Sequence, residues 1–309
     1  MSNNGNTIRK SDFKGDLFLI IAAFIYGSGL VAQKAGMEYL GPFGFTAIRF
    51  LIGAVILVPV TIYARRCLTE EERSEQLSFR EMLPGGIISG INVLAGVICQ
   101  QYGLPLPSVG KAGFIWSLYV IMVPIVGRLF LHRKISGRIW FAALIAVAGF
   151  YLMSMTNGIE ALSRGDILMF ITAMTLTAYV YTMDHFSSRA EPTTFICIQF
   201  FASGLGAVPF ALFLERSTTM ADITACFWPL MYAGVVLCAL GYTLQMIGQK
   251  TVESTRATII LGLESLFSLL SGLVFYHEHL LPKEYLGCLL IFIAVLIAET
   301  QKSTGEGKR

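Results

Sequence analysis

The sequence predicts an all-α integral membrane protein with ten transmembrane helices, arranged as two inverted five-helix repeats. Its composition, the length of its apolar runs and an internal repeat lead to this prediction. Of its 309 residues, 55% are hydrophobic and only 14% are charged, whereas a soluble domain carries about 25% charged residues. The apolar residues form runs of roughly 20, and a helix of about that length crosses the hydrocarbon core of a bilayer.

Short connections that are charged or contain Gly and Pro divide the apolar sequence into ten predicted spans. In chain order they are Asp16–Ala35, Pro42–Ala64, Met82–Tyr102, Val109–Leu131, Gly137–Ser154, Asp166–Met183, Pro192–Leu214, Phe227–Gly248, Thr255–Tyr276 and Glu284–Glu299. Residues 1–14 and 300–309 are predicted to be polar tails, and residues 15–154 and 165–299 to be the two five-helix units. The first run has full length and no small-residue cleavage site, which predicts a retained helix rather than a signal peptide.

The distribution of positive charge predicts the orientation. With both ends of the chain on one side, seventeen Lys and Arg residues lie on that side, five lie on the other, and Arg49 lies within the second span. Because positive charge is enriched in cytoplasmic connections, both ends are predicted to be cytosolic. The predicted location is the inner or plasma membrane of the cell.

The two halves of the chain repeat one another. In the first two helices of each half the matching residues lie 150 positions apart: Gly15-Asp16 with Gly165-Asp166, Pro42 with Pro192, Phe45 with Phe195 and Phe50 with Phe200. Later matches lie 145 positions apart: Pro84 with Pro229, Gln100 with Gln245, and Lys111-Ala112 with Arg256-Ala257. A unit of five helices is odd, so the second copy is predicted to enter the membrane from the opposite side.

The connections agree with this inversion. The connection after the second span, on the predicted cytosolic side, carries four arginines. Its counterpart after the seventh span carries Glu215, Arg216 and Asp222 instead. Matching connections therefore differ in charge in the way that opposite membrane sides require.

The ninth span contains a carboxylate, Glu264, near its middle. A charged residue at this depth is costly, and it usually faces a partner or a wet cavity. Glu264 could bind a cationic group of a substrate or carry a proton for coupling. Alternatively, it is a neutral or paired group that fixes the ninth helix against its neighbours. Its counterpart in the first repeat is Tyr119.

The second span contains a cation, Arg49, about 10 Å from the outer end of the helix. Arg49 either binds a substrate carboxylate or is a structural cation that snorkels or pairs with a neighbour. The amides Gln100 and Gln245 are repeat mates and are expected near opposite mouths of the bundle. Together with Asn92 they could contact a substrate or form hydrogen bonds between helices.

Three aromatic residues are further candidates for the wall of a substrate cavity. Tyr26, Trp116 and Tyr119 lie away from the helix ends, where interfacial aromatic belts form. Trp116 and Tyr119 are three residues apart and therefore share a helix face. Simple packing is the alternative for all three.

Several functional classes lack support in the sequence. Six scattered cysteines and the His277-Glu278-His279 cluster lack the spacing of a disulfide framework or a metal site. No metal and no cofactor is therefore predicted, and a phosphate-binding Gly-Lys loop for ATP is absent from the sequence. The net charge of +3 does not indicate a nucleic-acid partner. No nucleophile–base set occurs at one depth, so an enzyme is not predicted.

The motifs in the second, eighth and ninth spans resemble those of the drug/metabolite transporter superfamily, with two EamA-type domains. They are Phe45-Thr-Ala-Ile-Arg49-Phe50-Leu51, Gln245-Met-Ile-Gly-Gln249-Lys250, Ser254-Thr-Arg-Ala257, Leu263-Glu264 and Tyr276-His-Glu278. The resemblance extends from about Lys14 to Glu299. It departs from the family pattern at Ser265, where a Pro often follows the Glu, and at Tyr26-Gly27, where Trp-Gly is common.

The resemblance implies a secondary-active transporter of a small organic metabolite, an amino-acid-like solute or a drug, and export is the frequent direction. Alternating access would take place around a site between helices one to four and six to nine. A channel or a non-transporting membrane scaffold is the alternative function. Expected partners are the small-molecule substrate and the lipid bilayer, with possible proton coupling. Helices five and ten carry almost no polar residue at mid-depth, so they are expected at the periphery or in a homodimer contact.

Overall fold

The protein is described by a computed structural model, which is helical throughout the described part of the chain. It describes residues 4–70, 76–103, 115–154, 164–215, 218–276 and 281–299. The helices, here numbered in chain order, are α1 Asn4–Gly36, α2 Pro42–Cys67, α3 Phe79–Gly103, α4 Tyr119–Leu129, α5 Gly137–Ser154, α6 Arg164–Ser187, α7 Pro192–Leu214, α8 Met220–Ala225, α9 Phe227–Gln249, α10 Ser254–Leu261, α11 Leu263–Tyr276 and α12 Pro282–Glu299.

These helices confirm the predicted all-helical membrane fold. Six of them, α1, α2, α3, α6, α7 and α9, are long and apolar enough to cross a membrane, and shorter apolar helices include Ile115–Leu129, Gly137–Leu152 and Tyr285–Ala298. The first half of the predicted fourth span, including Lys111-Ala112, lies outside the described residues, as does His277-Glu278-His279. α1 begins at Asn4, ahead of the predicted span, and its apolar part is Phe13–Gly36.

Helices at equivalent positions of the two repeats pack against each other. α2 packs along α7, and α5 packs along α12. The rings of Phe50 and Phe200, which are repeat mates, stack with centroids 5.1 Å apart and an interplanar angle of 15°. The remaining helices form a second equivalent set, because α3 packs on α6 as α9 packs on α1. The pairing of repeat mates supports the predicted two-repeat architecture.

The predicted fourth and ninth spans are each interrupted by a turn. The ninth span turns at Gly262, which separates α10 from α11, and Ser265 N–H donates to the Gly262 carbonyl at 3.2 Å. The fourth turns at Leu118, whose N–H donates to the Ile115 carbonyl at 3.2 Å. With the repeat offset of 145, Gly262 corresponds to Ser117, the residue next to Leu118, so the two turns lie at nearly equivalent positions of the two repeats. The length of the apolar runs predicts a continuous helix in both places. A local shift to hydrogen bonds between residues three apart does not change the length of an apolar run, so the sequence does not reveal these turns.

α9 departs from regular α-helix over most of its apolar length. Residues Tyr232–Tyr242 form a π-helix, and α-helical turns precede and follow it. The wider turn carries an extra residue per hydrogen bond, and such segments occur often at functional sites. Leu237 and Tyr242 from this segment face the central cavity described below.

Gly27 allows α1 to approach α11 closely. A methyl group at this position would lie 2.6 Å from both the Glu264 carbonyl oxygen and the Ser268 backbone nitrogen. Both atoms belong to the helix backbone, so they cannot move aside as a flexible side chain can. Small residues with this role are common where membrane helices meet, and here the contact fixes the depth of the Glu264 backbone against α1.

We predict that Gly27→Ala destabilises the protein, because the added methyl group forces α1 away from α11. The expected loss in the free energy of unfolding is about 1–3 kcal/mol, measured by denaturant titration of the purified protein in detergent. Gly137→Ala is the matched control, since a methyl group at Gly137 meets no atom within 4 Å. Equal stability of the two variants would contradict the proposed contact.

Candidate functional site

A cavity of about 100 Å³ lies in the centre of the bundle. It receives side chains from α1, α2, α3, α4, α6, α9, α10 and α11, together with Trp116 just before α4. All eight residues predicted to line a substrate pathway line this one cavity: Tyr26, Arg49, Asn92, Gln100, Trp116, Tyr119, Gln245 and Glu264. The fold therefore brings all eight residues together around one cavity.

The cavity is built mainly from one end of the bundle. We call the end that contains the connection from α1 to α2, residues 37–41, the α1–α2 end, and the opposite end, with residues 68–78, the α2–α3 end. Leu30 and Gln33 near the end of α1, Arg49 near the start of α2 and Gln100 near the end of α3 all lie toward the α1–α2 end. The cavity thus extends from mid-depth toward that end.

Four helices contribute none of their described residues to the cavity wall. They are α5, α7, α12 and the short α8. For α5 and α12 this agrees with the predicted peripheral position. For α7 it corrects the expectation of a site formed by helices one to four and six to nine. α7 packs along α2 and α3, and therefore lies behind the helices that carry Arg49 and Asn92.

Arg49 is a buried cation with unused hydrogen-bonding capacity. Its side chain is only 2% exposed, and Nε and Nη1 have no hydrogen-bond partner among the described residues. The guanidinium carbon lies 5.3 Å from the ring centroid of Phe45 and 5.0 Å from that of Phe50. The rings supply cation–π attraction, but they leave the N–H groups unsatisfied. None of the described residues supplies an acceptor for these two N–H groups. A buried donor without a partner is costly.

Glu264 stands on another wall of the cavity, in the first turn of α11. It forms no hydrogen bond and no ion pair with any residue that the structure describes. Gly262 keeps helical dihedral angles, φ −57° and ψ −20°, and its N–H donates to the Thr258 carbonyl at 3.0 Å. The turn therefore tightens the helix two residues before Glu264 without ending it.

Tyrosines and an amide join α1, α6 and α9 beside the cavity. The Tyr26 hydroxyl donates to Gln245 Oε1 at 2.6 Å. The Tyr242 ring makes edge contacts with the rings of Tyr26 and Tyr179, at 5.3 and 5.8 Å between centroids. Gln245 in turn donates to Gln249 Oε1 at 3.4 Å, one helical turn further toward the α2–α3 end. This cluster forms the floor of the cavity at mid-depth.

The remaining polar wall is formed by α3, α6 and the residues around the turn at Leu118. Asn92 donates from Nδ2 to the Thr175 carbonyl at 2.8 Å, which fixes α3 against α6. Trp116 Nε1 is buried and has no partner among the described residues. Thr172 and Thr175 also line the cavity, and the sequence analysis missed them. A threonine in a membrane helix usually bonds to its own backbone, so no sequence pattern distinguishes these two.

Ion pairs and a close helix contact close the α2–α3 end. Arg256 in the first turn of α10 forms an ion pair with Asp16 of α1, and both side chains are largely buried. Arg133 forms a second pair with Asp184 of α6 at 2.6 Å. A methyl group at Gly248 would lie 3.0 Å from the carbonyl oxygen of Gly15, so the backbones of α1 and α9 nearly touch at this end. The bundle is therefore sealed at the end that lies opposite the cavity.

A helical bundle that spans a membrane and encloses a central polar cavity defines a class of polytopic membrane protein to which many transporters belong. A family model described as the EamA-like transporter family matches this chain twice, over residues 13–155 and 163–300. The chain belongs to the EamA-like transporter family, and it is a multi-pass membrane transporter protein. This confirms the resemblance stated from the sequence motifs.

The relatives of this chain are also named transporters. An uncharacterized transporter of Archaeoglobus fulgidus is 30% identical over 283 residues, which cover 91% of this chain and 84% of the relative. The uncharacterized transporter YwfM of Bacillus subtilis is 23% identical and covers 94% and 96%. One crystal structure superposes with a TM-score of 0.75 at 14% identity, over 92% of this chain and 96% of the other. That likeness shows the fold alone.

We predict that the pair Asp16–Arg256 stabilises the closed α2–α3 end. Asp16→Asn alone should lower the free energy of unfolding by about 3–5 kcal/mol, because it leaves the largely buried Arg256 without its carboxylate. Arg256→Gln should also lower it, because it removes the cation that pairs with the Asp16 carboxylate. The double variant should lose less than the sum of the two single losses. Denaturant titrations in detergent measure these values, with the exposed Arg128→Gln as the control. Strict additivity of the two substitutions would show that the side chains do not interact.

Proposed function

We propose that this protein is a secondary-active carrier that exports a small organic solute with a carboxylate group, such as an amino-acid-like metabolite or a drug, by alternating access. The observation that carries the proposal is the cavity with its two separate unpaired charges, Arg49 and Glu264. Small-molecule sites are concave and largely apolar, with a few polar groups that fix orientation. The cavity has this composition, because aromatic and aliphatic side chains surround its two charges.

Arg49 is the proposed binding group for the substrate carboxylate. Its free Nε and Nη1 donors match the two acceptor oxygens of a carboxylate, and such charge-assisted contacts are short and strong. The Phe45 and Phe50 rings hold the guanidinium in place from within the same helix. Trp116 Nε1 offers another donor in the same cavity for a polar group of the solute.

Glu264 is the proposed coupling residue. The titratable groups that face it are Tyr26 from α1, Tyr119 from α4 and Tyr242 from α9. No cation among the described residues pairs with it. Its charge can therefore be balanced either by a proton or by an ammonium group of the solute. This alternative occupancy would couple an inward proton movement to the outward movement of the solute.

The cytosolic ends of the chain, predicted from the positive charge, imply that the α1–α2 end faces outward. The cavity then opens toward the external half, and the ion pairs of Asp16 and Arg133 seal the cytosolic half. An inverted repeat supplies the second state, because the halves can rock around a site at mid-depth. We place the protein in the inner or plasma membrane on the same grounds.

The Arg49 assignment predicts selectivity for a free carboxylate. In proteoliposomes, we expect counterflow of one or more radiolabelled amino acids to exceed that of the corresponding methyl esters. Arg49→Gln should lower counterflow of the free acid by about tenfold or more, since a hydrogen bond to a charged group contributes about 1.5–3 kcal/mol. It should leave the ester almost unaffected. Exposed Arg138→Gln is the control, and equal losses for acid and ester would exclude carboxylate recognition by Arg49.

The Glu264 assignment predicts that proton coupling and solute exchange can be separated. Glu264→Gln should abolish accumulation driven by a pH gradient, because the amide cannot exchange a proton. Saturable counterflow of the same solute should remain. Transport that keeps an unchanged pH dependence in this variant would refute the coupling role. Flux that does not saturate in the unmodified protein would indicate a channel, and the absence of flux for all tested solutes would indicate a scaffold.

A further inference from the structure

A groove on the outer surface of the bundle lies apart from the central cavity. It has a volume of about 460 Å³ and is formed by the second half of α2, the start of α3 and the first half of α7. The side chains along it are mainly aliphatic and aromatic: Val58, Ile62, Phe79, Leu83, Ile87, Ile198, Phe201 and Leu205. The hydroxyls of its two threonines are occupied, because Thr61 bonds to Thr193 and Thr194 bonds to Glu191.

A polar pocket adjoins the groove at the α2–α3 end. It has a volume of about 300 Å³ and is formed by Arg65, Leu68 and residues 76–79 and 81. Phe79 lines both the groove and this pocket. The apolar groove and the charged pocket therefore meet at Phe79, and we call the two together the depression.

Arg65 stands at the junction. Its guanidinium carbon lies 6.0 Å from the centroid of the Phe79 ring, and Nε donates to Thr194 Oγ1 at 3.0 Å. No carboxylate of the described residues lies within ion-pair distance of Arg65, so among them its terminal nitrogens have no acidic partner. The carboxylate of the pocket, Glu81, is engaged elsewhere, because the Ser78 hydroxyl and backbone N–H donate to it at 2.7 and 2.8 Å. These hydrogen bonds tie the Glu81 carboxylate to the start of α3.

We propose that this depression is a binding site for one anionic phospholipid, with an acyl chain in the groove and the phosphate of the headgroup at Arg65. The groove extends along α3 from Phe79 to Ile87, roughly 12 Å, which is less than half of the ~30 Å hydrocarbon thickness. It therefore lies within one leaflet, with the arginine where the headgroups of that leaflet begin. Arg66 follows Arg65 in the last turn of α2, and Arg80 lies in the first turn of α3. Basic pockets between membrane helices on the cytoplasmic side are known to bind anionic headgroups.

The charge beside the groove favours a lipid over a second protein molecule. A phospholipid supplies an acyl chain for the apolar wall and an anionic headgroup for Arg65 in one molecule. A helix from a second copy would leave the adjoining pocket and the terminal nitrogens of Arg65 without an occupant.

Native mass spectrometry of the purified full-length protein, with added phosphatidylglycerol or phosphatidylcholine, tests the proposal. We expect one phosphatidylglycerol to be retained more strongly than phosphatidylcholine. Arg65→Gln should weaken phosphatidylglycerol retention about fivefold, the value expected for one arginine near a charged headgroup. Ile87→Trp should weaken retention of both lipids, because the indole fills the groove.

Two variants are matched controls. Ile88→Trp alters the neighbouring residue, which is 65% exposed but does not line the groove. Arg128→Gln removes an exposed arginine from the last turn of α4. Both should retain phosphatidylglycerol as the unmodified protein does. Equal retention of phosphatidylglycerol by the Ile87→Trp and Ile88→Trp variants would overturn the proposal. A dimer that Ile87→Trp disrupts would also overturn it, because the groove would then be a contact between two copies of the protein.

Discussion

The hydrocarbon core of the membrane provides no hydrogen bonds, and this constraint determines where every polar group of the bundle lies. Backbone groups are satisfied within helices, as they must be in lipid. Polar side chains turn inward and bond to neighbouring helices, as Asn92 does with α6 and Tyr26 does with Gln245. Arg49 and Glu264 also turn inward but find no partner among the described residues. The described residues therefore leave both charges without compensation, and this is the basis of the proposal that a solute and a proton supply it.

Close contact between helix backbones allows these polar groups to meet. Gly27 brings α1 against the backbone of Glu264, and Gly15 and Gly248 bring α1 against α9. The two contacts lie at different depths of the same helix. α1 is therefore held against the second half of the chain both at the cavity and at the sealed end. A rocking movement that opens the α2–α3 end has to separate Gly15 from Gly248, together with the ion pair of Asp16 and Arg256, which lies at the same end.

Features that depend on hydrophobic length and on the repeat could be predicted from the sequence, whereas features that depend on local geometry could not. The apolar runs locate the helices because lipid tolerates few charged side chains. The cost of burying Arg49 and Glu264 also identified two residues of the cavity wall. The turns at Leu118 and Gly262 and the π-helix of α9 involve small shifts of hydrogen bonding within apolar sequence, which composition does not record. Thr172 and Thr175 were missed because a helical threonine can bond to its own backbone wherever it lies.

Comparison of repeat mates shows where the two halves have diverged in charge. Arg49 corresponds to Gln199, which accepts a hydrogen bond from Ser89 within the core, and Glu264 corresponds to Tyr119. The same comparison pairs Arg65 with Glu215. The two residues lie at the ends of equivalent helices but carry opposite charges. Glu215 accepts hydrogen bonds from the Phe43 and Gly44 N–H groups and thereby caps α2. α7 is capped by its own Glu191, and Arg65 contacts this cap only through Thr194, whose hydroxyl accepts from Arg65 Nε and donates to Glu191. A symmetric scaffold requires only equivalent packing, and the charged differences between its halves therefore coincide with the sites proposed here for solute, proton and lipid.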